Sequence, residues 1–196
     1  LRPVMKRSNL TVMTHAQVHK LEMDGRTVTG VTLAAKSGSM LTVKARREVI
    51  LATGAIGSPQ ILQLSGIGPG ALLREKGIEV VHDLPGVGEN LQDHLQVRTI
   101  YKVSNTTTLN RRVNSLIGKA AMALEYGLFR SGPLTMPPSQ LGAFAKSDPA
   151  QPTPNMEWHV QPLSLDKFGE PLHRYDAITP SVCNIRPSSR GQIKII

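Results

Sequence analysis

The residues with the clearest chemical signature are small ones, where an apolar run leads into a helix. Residues 48–52 are largely apolar and predict a buried, central strand. Residues 53–57 follow as a small-residue turn, and Ser58 with Pro59 predicts a helix start, with Ser58 as N-cap. Open α/β sheets hold nucleotides where a strand passes through a glycine-containing turn into a helix. Small residues let a ligand approach the backbone there.

Other reactive residues give weaker patterns. Of six histidines, His15 and His19 are four residues apart, but their segment is strand-like, so the spacing does not place both rings on one helix face. The single Cys183 excludes an internal disulfide and alternates with neighbours as a small buried residue would. No metal site is predicted. Ser58 lacks the flanking glycines of a nucleophile elbow, so no serine hydrolase chemistry is predicted.

Composition limits the possible partners. The formal charge is +9, but the cations are scattered and only 4% of residues are aromatic. Proteins that bind single-stranded nucleic acid stack bases on aromatic side chains, so nucleic acid is not a predicted partner. No apolar run reaches the roughly 20 residues of a membrane-spanning helix.

The elements that must position these residues change character along the chain. The first half predicts strands at 10–21, 27–34, 40–45 and 48–52, then a helix at 71–76, a strand at 78–82 and a glycine-punctuated loop at 84–94. The second half predicts a helix at 112–129 that packs onto a sheet, with strands at 96–103, 141–145, 156–160, 180–185 and 192–196.

A longer pattern surrounds the small-residue turn. Residues 54–68 fill every position of small-small-x-x-Ser-Pro-x-aliphatic-aliphatic-x-x-Ser-Gly-aliphatic-Gly. This stretch resembles the second signature of the glucose–methanol–choline (GMC) flavoprotein oxidoreductases, closest in the choline dehydrogenase-like alcohol dehydrogenases. Further stretches that resemble the family occur in the family's order, at residues 1–3, 9–12, 84–94 and 186–191.

The resemblance implies an α/β fold in two parts. Residues 1–94 are expected to form part of an FAD-binding Rossmann-like domain, and residues 95–196 part of an α+β, antiparallel-sheet substrate domain. The complete enzyme would oxidise an alcohol by hydride transfer to FAD. The family's Gly-x-Gly-x-x-Gly unit and C-terminal catalytic histidine block are not found, so we expect an internal fragment that is inactive alone and holds no catalytic residue.

The resemblance also implies positions for the site. The residues expected near the adenosine half of FAD are Val18, Thr53, Gly54, Ala55 and Ser58. Asp93 and His94 either lie close to the cofactor or make structural hydrogen bonds. The candidates for the substrate side are Trp158, His159 and Gln161.

Two other functional classes remain open: a non-catalytic binding or structural module, and an inert truncated product. The expected partner is a small-molecule alcohol, without nucleic acid or metal. The expected location is cytoplasmic, with membrane association left open because cations flank the helix at 112–129. The particular alcohol, the electron acceptor and the oligomeric state are not specified by the sequence.

Overall fold

The computed structural model describes residues 2–137 and 139–196. The chain divides into two compact units, which we call the first unit (residues up to 92, with 189–196) and the second unit (93–188). The sequence-based division placed the tail 189–196 in the second part. In the structure this tail packs in the first unit, where Gly191 and Leu91 exchange backbone hydrogen bonds.

The first unit combines an antiparallel sheet with two helices. Its three-stranded sheet contains β1 (Gln17–Asp24), β2 (Thr27–Ala34) and β3 (Met40–Lys44), in that order. The chain continues through α1 (Gly54–Leu64), β4 (Ile67–Gly68), α2 (Gly70–Glu75) and β5 (His82–Asp83), with β4 and β5 paired in parallel. Gly25 has φ +56°, which fits the predicted turn between β1 and β2.

Two predicted strands, at 48–52 and 192–196, do not form. The strand predicted at 10–21 forms only from Gln17 onward, so residues 10–14 have no strand structure, and 78–82 contributes only the start of β5. A strand requires a neighbour that completes its hydrogen bonds, and within the described residues no strand pairs with these segments. Ile50, predicted to lie in a buried central strand, is 78% exposed.

The core of the first unit lies between α1 and the sheet. Leu21 and Leu33 from the sheet and Ile61 from α1 are each 5% exposed. The backbone N–H of Leu21 donates to Ser65 Oγ (2.8 Å), and that hydroxyl donates to the carbonyl of Ile61 (2.6 Å). Ser65 thereby links β1 to the C-terminal end of α1. Ile61 and Ser65, two positions of the 54–68 pattern, therefore serve to pack α1 against the sheet.

The second unit is built on a five-stranded antiparallel sheet. Its elements are β6 (Gln96–Arg98), β7 (Tyr101–Lys102), α3 (Leu109–Val113), α4 (Leu116–Phe129), β8 (Leu141–Ala145), β9 (Met156–Gln161) and β10 (Ala177–Asn184). The strand order is β6-β10-β9-β8, and β7 pairs with the first residues of β10. The single strand predicted at 96–103 is thus two short strands. Cys183 is 5% exposed, which confirms its predicted burial.

The predicted helix at 112–129 is interrupted. α3 ends at Val113, and Ser115 caps α4 by accepting a hydrogen bond from the N–H of Gly118 (3.3 Å). Met122 is the buried residue of α4, whereas Leu116 and Ile117 are 84% and 83% exposed. α4 contacts α3 and the 3₁₀ turn Pro133–Thr135, so the prediction that it packs on a sheet is wrong.

Buried polar groups hold α3 to the segment before β10. Asn110 is fully buried; its Nδ2 donates to Ser164 Oγ (2.7 Å), and its Oδ1 accepts from the N–H of Ser164 (2.8 Å). Asp176 accepts from the N–H of Thr108 and from Arg111, each at 2.8 Å. The Thr108 backbone hydrogen bond lowers the pKa of Asp176 below its ordinary value, assisted by the Thr108 hydroxyl and Arg111 and opposed by burial.

Candidate functional site

The helix α1 begins five residues earlier than predicted. Its first residue is Gly54, so the segment expected to be a turn forms the first turn of the helix. Ser58 is therefore not the N-cap, and Pro59 lies inside the helix. The hydroxyls of Thr53 and Ser58 lie 3.0 Å apart and bond to each other. These two predicted cofactor residues are thus brought into direct contact.

The start of α1 presents free backbone groups. Thr53 occupies the N-cap position, but its side chain makes no capping hydrogen bond to the helix. The first four N–H groups of an α-helix have no partner within the helix, and residues 53–56 are exposed. These N–H groups and the positive end of the helix dipole fit an anionic or strongly polar ligand group.

Gly54 and Pro59 determine which backbone groups are free at the start of α1. Gly54 has φ +82°, and a Cβ added there would meet no atom within 4 Å. Pro59 has no N–H, so the carbonyl of Ala55 loses the helical partner four residues ahead. The start of α1 therefore offers N–H donors next to open space at Gly54, while the carbonyl of Ala55 points along the helix and lacks its helical partner.

A cavity of about 320 Å³ adjoins this helix start. It is lined by Ala55 and Pro59 of α1, by the loop 88–92, and by Ile193 of the tail. Ala55 is one of the cofactor residues predicted from the sequence, whereas the loop residues that line this cavity with it are not. The repeated glycines of the 84–94 segment are the sequence feature that could have pointed to this loop as part of the site.

The loop has a constrained backbone. Gly88 has φ +90° and Asn90 has φ +64°, both in the left-handed region. A Cβ on Gly88 would collide with the carbonyl oxygen of Ile193, whose own N–H donates to the carbonyl of Gly88 (2.7 Å). Glycine at position 88 thus lets the tail lie against the loop and close one side of the cavity.

The remaining predicted cofactor residues do not line this cavity. Val18 lies in β1, half-buried and opposite Leu33 of β2. Asp93 and His94 belong to the second unit, where both are exposed and the N–H of His94 donates to Asp93 Oδ1 (2.8 Å). This contact is a local hydrogen bond of the kind considered for the pair from sequence.

The three substrate-side candidates all lie on β9, but not on one surface. His159 and Gln161 project from one face of the sheet, and Trp158 projects from the other, because strand side chains alternate. His159 Nε2 lies 3.4 Å from Glu157 Oε1. Gln161 is 8% exposed, and Trp158 is 37% exposed. A ligand on one face can therefore contact the histidine and glutamine but not the tryptophan.

Across residues 2–137 and 139–196, no three His, Cys, Asp or Glu side chains come together as metal ligands. In the same residues, none of the helices combines the length and the apolar character needed to cross a bilayer.

Comparison with known proteins decides the family. A family model described as GMC oxidoreductase matches residues 1–96, which include α1 and the loop 88–92. The chain belongs to the GMC oxidoreductase family. The family resemblance and the mixed α/β fold predicted from sequence are thereby confirmed, and FAD is the cofactor of this family.

Relatives of this GMC chain match it almost from end to end. An oxygen-dependent choline dehydrogenase of Photobacterium profundum is 39% identical over 195 residues, which is 100% of this chain and 34% of the relative. The structure of formate oxidase from Aspergillus oryzae matches with a TM-score of 0.87 and 25% identity, over 98% of this chain and 38% of that one. Pyridoxine 4-oxidase from Mesorbium loti matches with a TM-score of 0.72 and 25% identity, over 100% of this chain and 34% of that one. The chain therefore spans about a third of the length of these relatives.

Proposed function

We propose that this GMC chain forms part of an FAD site and part of a substrate-binding sheet in an enzyme that oxidises a small-molecule alcohol. FAD, when bound, accepts the hydride from the alcohol carbon. In this proposal the first unit binds the adenosine half of the cofactor, and the second unit contributes to the substrate side. The relatives named choline dehydrogenase and pyridoxine 4-oxidase support an alcohol as the substrate class. The cytoplasmic location remains a sequence-based prediction.

The observation that carries the proposal is the exposed, uncapped start of α1. Its N–H groups suit polar oxygens of a cofactor, and its small residues permit contact at van der Waals distance. Ser58 holds the Thr53 hydroxyl (3.0 Å), which keeps that side chain at the edge of the helix start. Gly57 suits this arrangement, since a Cβ there would lie 3.0 Å from Thr53 Cβ and would press on the Thr53 side chain.

We assign no proton-transfer residue. Asp93 and His94 are exposed, and the N–H of His94 donates to the Asp93 carboxylate, so this proposal gives neither of them a part in taking a proton from the alcohol. His159 and Gln161 are the substrate-side residues that share one sheet face. The proposal thus assigns binding and positioning to this chain.

The test is a matched pair of glycine variants in the complete gene product that contains these residues. Gly54 and Gly38 have nearly the same φ (+82° and +83°), and an added Cβ meets no atom within 4 Å at either. Gly54→Val and Gly38→Val therefore carry a similar backbone cost, on the order of 1–2 kcal/mol. Only Gly54 lies at the start of α1; Gly38 lies in the turn between β2 and β3.

We expect Gly54→Val to lower the FAD content of the purified protein and Gly38→Val to leave it unchanged. FAD content is measured from the flavin absorbance near 450 nm, released on denaturation, per mole of protein. Equal FAD content in the two variants would place the cofactor elsewhere. A protein that holds no flavin and cannot be reconstituted with FAD would favour the binding-module or inert class instead.

A further inference from the structure

Arg98 is a half-buried cation on an outer strand of the sheet of the second unit. It is the last residue of β6 and lies directly opposite Ser181 of β10, which in turn lies opposite His159 of β9. Residues directly opposite one another in an antiparallel sheet project from the same face. Arg98 and His159 therefore share one sheet face, and the same alternation adds Gln161, two residues beyond His159.

The guanidinium of Arg98 is only partly satisfied. Its Cζ lies 4.4 Å from the ring centroid of Phe168, so one flat side is covered by an aromatic ring. Its Nε and Nη2 are buried and have no hydrogen-bond partner among the described residues. These nitrogens form one edge of the guanidinium, where two N–H bonds run parallel. That edge matches the two oxygens of a carboxylate.

Buried N–H groups of a cation are costly without an acceptor, so the unused edge of Arg98 indicates an acceptor that is not one of the described side chains. Glu157 is the acidic residue on the same face of β9, and its Oε1 lies 3.4 Å from His159 Nε2. None of the ion pairs found among the described residues involves Arg98. A ligand with one negative charge would balance the guanidinium, whereas a phosphate dianion would leave a surplus charge.

Gln161 supplies a second, complementary group. The residue is 8% exposed, and its Oε1 is buried without a hydrogen-bond partner among the described residues. It lies opposite Thr179, two residues along β10 from the partner of Arg98. An amide oxygen accepts hydrogen bonds, so it calls for a donor such as a hydroxyl.

We propose that this sheet face binds a small hydroxy acid, with the carboxylate on the Nε and Nη2 edge of Arg98 and the hydroxyl on Oε1 of Gln161. This site goes beyond the proposed function, since it names a ligand class for the second unit and needs no flavin. Two unsatisfied buried groups of opposite hydrogen-bonding type on one face support it. Each obtains a partner from the same ligand.

The test is calorimetric titration of the complete gene product with sodium glycolate, sodium acetate and neutral acetamide, in anaerobic buffer of low ionic strength. Excluding oxygen prevents oxidation by oxygen from contributing heat. Glycolate carries both groups, acetate carries the carboxylate alone, and acetamide is the uncharged analogue of acetate. We expect the protein to bind glycolate more tightly than acetate and to show no binding of acetamide.

Variants separate the two contacts. Arg98→Lys keeps the charge but loses the parallel N–H pair. It should therefore lower the affinity for glycolate and for acetate at least tenfold. Gln161→Leu should reduce the affinity for glycolate to that for acetate. Arg112→Lys makes the same substitution at an exposed residue of α3 and should change neither affinity.

The proposal fails if the unmodified protein binds neither acid, if acetamide binds as tightly as acetate, or if Arg98→Lys leaves both affinities unchanged. An unchanged preference for glycolate in Gln161→Leu would remove Gln161 from the site. Because no flavin signal is read, a failure here is distinct from a failure of the FAD assignment.

Discussion

The amide side chain of Gln63 holds the tail of the first unit, and this can be tested by removing its hydrogen bonds. Gln63 is fully buried in α1. Its Nε2 donates to the carbonyls of Val87 (3.3 Å) and Ile193 (2.9 Å), and its Oε1 accepts from the N–H of Ile195 (3.0 Å). The side chain thus replaces the strand neighbour that residues 193–195 lack.

Gln63→Met preserves most of the side-chain volume and removes all three hydrogen bonds. At roughly 1 kcal/mol per bond, the tail should lose roughly 3 kcal/mol of local stability. Such a loss raises the population of the detached tail by about two orders of magnitude, and amide exchange in the tail should accelerate by the same factor. The N–H of Ile193 still donates to Gly88, and Gly191 still exchanges two backbone hydrogen bonds with Leu91, so the tail keeps these contacts with the loop.

The assay is hydrogen–deuterium exchange followed by mass spectrometry of the peptide that covers residues 189–196. Gln60→Met is the matched control, because Gln60 lies on the same helix and is exposed. We expect fast exchange in Gln63→Met and wild-type exchange in Gln60→Met. Wild-type exchange in both variants would refute the role of Gln63.

Two further predictions concern the loop and the buried carboxylate. Gly88→Ala should release the tail and destabilise the first unit by roughly 2 kcal/mol or more, since its Cβ meets the Ile193 carbonyl at φ +90°. Gly86→Ala is the control, because no atom lies within 4 Å of the added Cβ, and it should leave the free energy of unfolding in urea unchanged. Because the pKa of Asp176 is lowered in the folded state, its stabilising effect is present above the unfolded value near 4 and is lost as pH falls below that value. Asp176→Asn should therefore flatten the acid limb of a thermal stability profile, and an unchanged limb would contradict the assignment.

The family pattern located α1 from sequence, but its first residue was misplaced. Ser followed by Pro is a common helix start, yet here Ser58 bonds to Thr53 and Pro59 lies in the second turn. Proline at that position removes only the hydrogen bond to Ala55. The local sequence therefore permits both starts.

Strand prediction succeeded for the three-stranded sheet, in which each neighbour is close in sequence. β1, β2 and β3 are joined by short turns, and each turn contains a glycine with positive φ. Residues 10–14 and 48–52 have equally strand-like sequences but no paired neighbour in the described part of the chain. Side-chain pattern indicates which residues suit a strand, whereas pairing depends on the rest of the fold.

Only part of the candidate site was predicted from the sequence, because the rest depends on contacts between distant segments. The small residues of α1 were found because they recur in a recognisable pattern. Arg98 and the loop residue Asn90 were not singled out, because an arginine in a strand and an asparagine in a loop are usually exposed and solvated. Their special positions follow from register and backbone torsion, which only the structure provides.

The discontinuous first unit also has a consequence for biosynthesis. Gln63 and Ile193 are separated by 130 residues, and the entire second unit lies between them in the chain. At typical translation speeds of about 5–20 residues per second, the Gln63 amide waits about 6–26 s for its partner to leave the ribosome. During that interval the nascent first unit must keep a polar side chain hydrated at a place that later becomes dry. Slow elongation through the second unit would therefore prolong its exposure to chaperones and proteases.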